Sequence, residues 1–416
     1  MRVRERCRGR SRSRFTASSD QAMMPAKRAV EEEAFSDAEK NDAREKKKKD
    51  TTETKTDDEV FLVRGGVGTV RARRMVDSSA IARDGARLRE RLRRDGYAML
   101  RGFLDARDID EARKVALAAL AESRPDAFVN PKDPTNGLLR PNARSLGLLA
   151  RQDVAARPEM QRVTECDALF RVAERVLFSD NDDDDDDAFP DASASARGGA
   201  RRGRSGAKKR KRKRPKQVMT AAYKWLRAVA AGEFTGVHTD RVFLGGGAAR
   251  LVTAWIPLGD VRMADGALMV AAGSHADETF AGVRRTYGAS AAGEDGARSG
   301  WLTDDASEVL AVAKRARRRL ADSEKDARVE EDDDSTDWRT CDFRSGDVVL
   351  LALDVAHMSL ANVSGESNSD SGEFTSVARA RVSVDTRWAP EGDDPDPRVR
   401  LWRRQREGAV ETVVLS

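Results

Sequence analysis

The chain has 416 residues, 35% of them charged and 39% hydrophobic, which is more polar than a compact domain of this size. Lys and Arg number 76 against 71 Asp and Glu, so the formal net charge of +5 says little about partners, and local blocks must be read instead. The three cysteines, Cys7, Cys166 and Cys341, lie far apart without C-x-x-C spacing, which argues against a disulfide framework or zinc knuckle, and no stretch approaches the roughly 18 apolar residues of a membrane span.

Residues 1–58 alternate acidic and basic runs with almost no aliphatic content, and a segment of that kind buries too little surface to offset its conformational entropy. A disordered tail is expected there. Its Arg- and Ser-rich start loosely resembles an organelle transit peptide and lacks the apolar stretch of a secretory signal. Order is expected from about Phe61. Helices follow over Ile81 to Arg94, with Ile81, Gly85, Leu88 and Leu92 on one face, and over Ala106 to Leu120 behind Asp105 as N-cap. The first stops at Asp95-Gly96 and leads into the strand-like Tyr97 to Leu100, and a third helix is expected at Asp167 to Phe178.

Composition then breaks. An Asp run and the basic block Lys208 to Lys216 read as a loop inserted over about 179–216, and a second insertion with a charged helix is expected over 289–337. Between and after these, Val218 to Trp225, Ala248 to Ile256, Ala267 to Ala271, Asp347 to Leu353 and Ala378 to Trp388 are short, β-prone and punctuated by Gly or Pro. Strands at this spacing predict a mainly β sandwich or barrel with flanking helices, over 59–416.

All three histidines lie in this β region. His238 and Asp240 are two residues apart, so on a strand both project to one face, and His357 follows the strand-like run after Gly346-Asp347. Two imidazoles and one carboxylate make the facial triad that holds non-heme Fe(II) and leaves positions open for a chelating cosubstrate and O2. A lone H-x-D more often carries a hydrogen-bonded structural histidine, so the surrounding sequence decides.

That sequence resembles the phytanoyl-CoA dioxygenase (PhyH) family in YKWLRAVAAGEFTGVHTDRVFLG, WIPLGDV, DGALMVAAGSH, TCDFRSGDVVLL, HMSLAN and RVSVDTRW, with Asp95-Gly96-Tyr97 as the family's entry. The resemblance implies a double-stranded β-helix (a jelly-roll, cupin-like barrel), with iron on His238, Asp240 and His357 and with 2-oxoglutarate and O2 as cosubstrates. An Asp at 240, where related halogenases carry a small residue, implies hydroxylation of a small organic or acyl substrate with release of succinate and CO2. His275, in the family's Gly-Ser-His turn, is read as structural or pocket-lining.

Arginine suits the distal carboxylate of 2-oxoglutarate, because its planar fork pairs with both oxygens. The family's R-x-S-x-D-x-R pattern points to Arg381, and Arg379 is the alternative because the loop after Asn362 is longer than usual. Arg387 either supports the site or pairs with a core acid. Trp255 and Ser359 match family positions lining the cosubstrate pocket, although plain core packing serves Trp255 equally well. The block Lys208 to Lys216 reads as a nuclear signal, a phosphate-binding arm or a solvated insertion, and without interleaved aromatics it argues against direct nucleic-acid recognition. Two competing functions remain: a nucleic-acid demethylase of the same enzyme class, and a non-catalytic barrel.

Overall fold

A computed structural model of the chain describes residues 60–178, 217–244, 247, 250–276, 280–286, 300–309, 338–365, 378–396, 399, 401–406 and 409–414, all in a unit running from Asp57 to Ser416. The expected tail at 1–58 and the acidic and basic loop at 179–216 lie outside the described residues, as does most of the charged helix expected in the second insertion.

The described strands are β1 (Val60–Gly65), β2 (Gly68–Arg74), β3 (Tyr97–Leu100), β4 (Val218–Ala221), β5 (Trp225–Val229), β6 (Val252–Pro257), β7 (Leu268–Ala271), β8 (Trp338–Thr340), β9 (Val348–Ala352), β10 (His357–Ser359), β11 (Arg381–Pro390), β12 (Leu401–Arg406) and β13 (Ala409–Val414). They form two sheets, one ordered β1-β2-β8-β7-β10 and the other β13-β12-β4-β11-β6-β9-β3, with β5 also pairing β11. From β6 to β11 the chain crosses between the sheets: β6, β9 and β11 lie in the larger, and β7, β8 and β10 in the smaller. This winding is a double-stranded β-helix, a jelly-roll sandwich with flanking helices.

Strict alternation positions the site. All ten residues of β11 are buried, yet Val382, Val384 and Trp388 pack with the helices, whereas Arg381, Ser383, Asp385 and Arg387 fall on the other face, turned between the sheets. In β6, Val252, Ala254 and Ile256 likewise join the helical side and Trp255 the inter-sheet core. A β-sheet buried on both faces can therefore present polar groups inward without exposing any strand.

Short helices cover the outer face of the larger sheet. Among them, α1 (Gly85–Asp95) starts at Asp84, whose carboxylate accepts the Arg87 amide at 3.0 Å, and stops at Gly96, left-handed at φ 76°. Behind it, α2 (Ala106–Ser123) is capped by Asp105 and buries Ala112, Ala116, Leu117 and Leu120. After α3 (Gln152–Ala155) and α4 (Pro158–Thr164), α5 (Asp167–Leu177) sets Phe170 edge-on to Trp388 at 4.8 Å. No described helix is long and apolar enough to cross a membrane.

The structure departs from the expected elements in three places. Val218 to Trp225 is two strands, because the chain turns at 222–224 between β4 and β5. His238 and Asp240 do not sit on a sheet strand: they lie in an extended segment with isolated bridges, Val237 to Thr303 and His238 to His357, that runs into α6 (Arg241–Leu244). Residues 300–309, expected within an insertion, instead form a strap. Val237 exchanges backbone hydrogen bonds with Leu302 and Thr303 at 2.7 and 2.8 Å, and the Val67 amide bonds the Asp304 carbonyl at 3.0 Å. The strap thus ties the β1–β2 turn to the H-x-D segment.

Candidate metal centre and its cleft

His238, Asp240 and His357 come together, with one donor atom from each within 4.8 Å of the others, and all three side chains are buried. The two imidazoles are brought together by reciprocal backbone bonds between His238 and His357, both 2.9 Å, with their ring centroids 4.2 Å apart and their planes tilted by 52°. Each ring is oriented in the same way. Nδ1 of His238 lies 2.8 Å from the Gly236 carbonyl, and Nδ1 of His357 lies 3.0 Å from the Val355 carbonyl. A carbonyl only accepts, so each Nδ1 carries a proton and Nε2 is the ring nitrogen left to face a metal.

Asp240 is fixed from both sides. Its Oδ1 accepts from Nη2 of Arg387 at 2.7 Å, and Thr253 donates its hydroxyl to Oδ2. Burial alone would raise its pKa, but the Arg387 guanidinium, with the Thr253 hydrogen bond acting the same way, holds it below the usual carboxylate range. Burial, then the neighbouring His357, keeps His238 well below the ordinary imidazole value and hence neutral. Two imidazoles whose Nε2 atoms are left for coordination, together with one ionised carboxylate, make a donor set that suits a divalent first-row metal, so the residues present fit an iron.

A cleft with about 340 Å³ of empty space, open solvent at its mouth included, adjoins the triad; Arg381, Trp255 and Ser359 line it together with His238 and His357. Arg381 is 2% exposed. Its Nε donates to the Gly266 carbonyl at 3.1 Å and its Nη1 to the Ser383 hydroxyl at 2.6 Å, but among the described residues no carboxylate pairs with it. Burial pushes its pKa down to about 10, which still leaves it charged near neutrality. Ser359 accepts the Thr235 amide at 2.7 Å, and Trp255 packs on Phe343 with ring centroids 4.8 Å apart.

Arg379 and Arg387 do not line this cleft. Arg379 precedes β11 and is exposed, with its amide on the Ser364 hydroxyl and its carbonyl accepting from Asn362. Arg387 is buried against Asp240, its guanidinium 4.1 Å over the Trp225 ring. Both alternatives left open for it thus coincide, since the core acid it pairs with is the candidate ligand. His275 stands apart from the triad. It bonds the Arg93 carbonyl through Nε2 at 3.0 Å while Gly273 donates to Asp95, so the Gly-Ser-His turn caps the end of α1. Sequence reasoning did not single out Arg227, Thr235 or Thr253, which also line the cleft. For Arg227 and Thr253, period-two alternation along β5 and β6 was the available signal.

Residues 92–368, more than half of the chain, match the phytanoyl-CoA dioxygenase (PhyH) family. The chain belongs to that family. Membership carries the general chemistry of an oxygenase that uses non-heme iron and 2-oxoglutarate. No curated protein matches the chain. Among solved structures, the family member is similar to the epimerase SnoN in complex with Fe3+, alpha ketoglutarate and nogalamycin RO, at 15% identity over 78% of this chain and 87% of that one, TM-score 0.37. It is similar to EctD from S. alaskensis in its apoform at 14% identity over 80% and 84%, TM-score 0.39. EvdO2 from Micromonospora carbonacea var. aurantiaca, complexed with 2-oxoglutarate, matches at 14% identity over 78% and 96%, TM-score 0.33. Likenesses this loose assign no residue.

Proposed function

We propose that the chain is an Fe(II)- and 2-oxoglutarate-dependent dioxygenase that hydroxylates a small organic or acyl substrate and releases succinate and CO2. The observation that carries this reading is Arg381, a buried guanidinium without a carboxylate partner in the cleft that the two candidate histidine ligands share. A buried cation left unpaired is costly, and a carboxylate of the cosubstrate relieves it.

His238, Asp240 and His357 would hold the iron, which with 2-oxoglutarate supplies oxidative power drawn from O2 and the decarboxylation of the cosubstrate. The chain's own contribution is placement. The Gly236 and Val355 carbonyls fix the imidazoles, Arg387 and Thr253 fix the carboxylate, and Arg381 with Ser383 and Ser359 receives the distal end of the cosubstrate. Trp255, Leu268, Leu351 and Met358 line the remaining wall with apolar surface that limits water around a reactive centre. With a carboxylate at 240 the ligand set is complete without a halide, which favours hydroxylation. The basic block that would favour the nucleic-acid alternative lies outside the described residues.

Calorimetry with Ni(II) in place of iron tests this in air. 2-Oxoglutarate should bind the Ni(II)-loaded protein and not the metal-free protein, and Arg381→Ala should weaken it at least tenfold while Ni(II) affinity holds. Equal binding with and without metal would remove the cosubstrate reading.

A further inference from the structure

The walls of the cleft carry more positive charge than the iron and cosubstrate account for. Two arginines, Arg227 and Arg381, line it against one carboxylate, Asp385. Arg227 stands on β5 opposite Ser383, and hence between Arg381 and Asp385 along the facing strand. Its only carboxylate partner among the described residues is Asp385, with Nε 3.5 Å from Oδ2, and that same oxygen is shared with Nη1 of Arg387 at 3.3 Å. Asp385 Oδ1 is buried with no hydrogen-bond partner. Three guanidinium groups, Arg227, Arg381 and Arg387, therefore face two carboxylates, Asp240 and Asp385.

On the proposed function, a divalent iron and the 2-oxoglutarate dianion cancel each other, so the loaded site keeps one surplus positive charge. Pairing shows which guanidinium is least satisfied. Arg387 is paired with Asp240 at 2.7 Å, and Arg381 is taken by the cosubstrate carboxylate. Arg227 is left with a long, shared contact, and its side chain is 22% exposed where that of Arg387 is 2%. Arg227 is thus the least firmly paired and the most exposed of the three guanidinium groups, and it reaches the cleft from the side open to solvent. After burial, Arg227 is the main group depressing Arg381, as expected of a cation close to it.

We propose that Arg227 is the substrate-anchoring residue of this cleft and that the substrate carries a single negative charge, a carboxylate or similar oxyanion, within reach of it. This rests on the dioxygenase reading above. Guanidinium and carboxylate match geometrically, and in a partly desolvated cleft a charge-assisted pair discriminates by about tenfold or more against a neutral analogue. The Nε–Asp385 contact presets the direction of the fork while leaving its outer nitrogens for the ligand. Discrimination of this kind costs nothing in cosubstrate binding, because Arg381 carries that separately.

The test uses full-length protein loaded with Ni(II) and saturating 2-oxoglutarate, with hexanoate and hexan-1-ol as a matched charged and neutral pair. Binding is followed by calorimetry and by tryptophan fluorescence, since Trp255 lines the cleft. Hexanoate should bind at least tenfold more tightly than hexan-1-ol. Arg227→Met should erase that preference and Arg227→Lys should keep part of it, with 2-oxoglutarate affinity within about threefold of wild type in both. The retained cosubstrate affinity also shows that the variants are folded. Hexanoate binding no better than that of the alcohol, or unaffected by Arg227→Met, would overturn the proposal. A tenfold loss of 2-oxoglutarate affinity in Arg227→Met would do so too, by assigning Arg227 to the cosubstrate. Wild-type protein that fails to bind 2-oxoglutarate with Ni(II) present would instead sink the dioxygenase reading from which the proposal starts.

Discussion

Asp240 shows how much of the site depends on neighbours that carry no chemistry of their own. Arg387 and Thr253 occupy opposite sides of its carboxylate, and Trp225 and Asp385 in turn hold Arg387. Removing such a support without removing the ligand usually costs a metal site about 10- to 100-fold in affinity. Arg387→Gln should therefore weaken Ni(II) or Co(II) binding in that range with the protein still folded, and Asp240→Ala should abolish it; unchanged affinity in Arg387→Gln would mean that the carboxylate needs no such support. The triad itself was legible as H-x-D plus a distant histidine within β-prone runs. The link from Arg387 to Asp240 was not, because 147 residues separate the partners and alternation along a strand gives the face of a side chain, not the acid it meets.

At the scale of elements, alternation explains most of what could be read. Val382, Val384 and Trp388 against Arg381, Ser383, Asp385 and Arg387 gave β11 its two faces. The break between β4 and β5 escaped, and the structure shows what it accommodates. Lys224, in that turn, is 1% exposed and donates to the Ala221 carbonyl at 2.7 Å, with Glu165 from the helical layer 3.2 Å away. Burial brings its pKa down from the ordinary 10.5 to about 8, against the pull of Glu165. Between those values the unfolded chain holds the proton more firmly than the folded one, so stability gains as pH rises from about 8 to about 10.5, by up to ~3 kcal/mol. Denaturant unfolding across that window should show the gain in wild type and not in Lys224→Met. Glu165→Gln, which leaves the buried ammonium unpaired, should cost ~3 kcal/mol at neutral pH. Another element-scale test lies in the strap. Gly66 has φ 71°, and a Cβ there would stand 1.8 Å from the Asp304 carbonyl oxygen, so Gly66→Ala should destabilise by ~2 kcal/mol or more in the same measurement.

For the whole molecule, the sandwich class and flanking helices were readable from short strands between helical periods, and the family resemblance supplied the winding. The strap was not readable, because residues 300–309 sit among charged, low-complexity sequence while their role comes from backbone pairing with Val237 and Val67. Such pairing leaves no side-chain signature. What the fold achieves is to bring two histidines and an aspartate together from segments far apart in the chain, with both histidines lining one cleft with the buried Arg381. The most direct test of that claim adds Fe(II) and then 2-oxoglutarate to the purified protein without oxygen and records the visible spectrum. A weak metal-to-ligand charge-transfer band is expected, absent in His357→Ala and lost or much reduced in Arg381→Ala. A folded wild-type protein that gives no band would contradict that claim and move the non-catalytic barrel to first place.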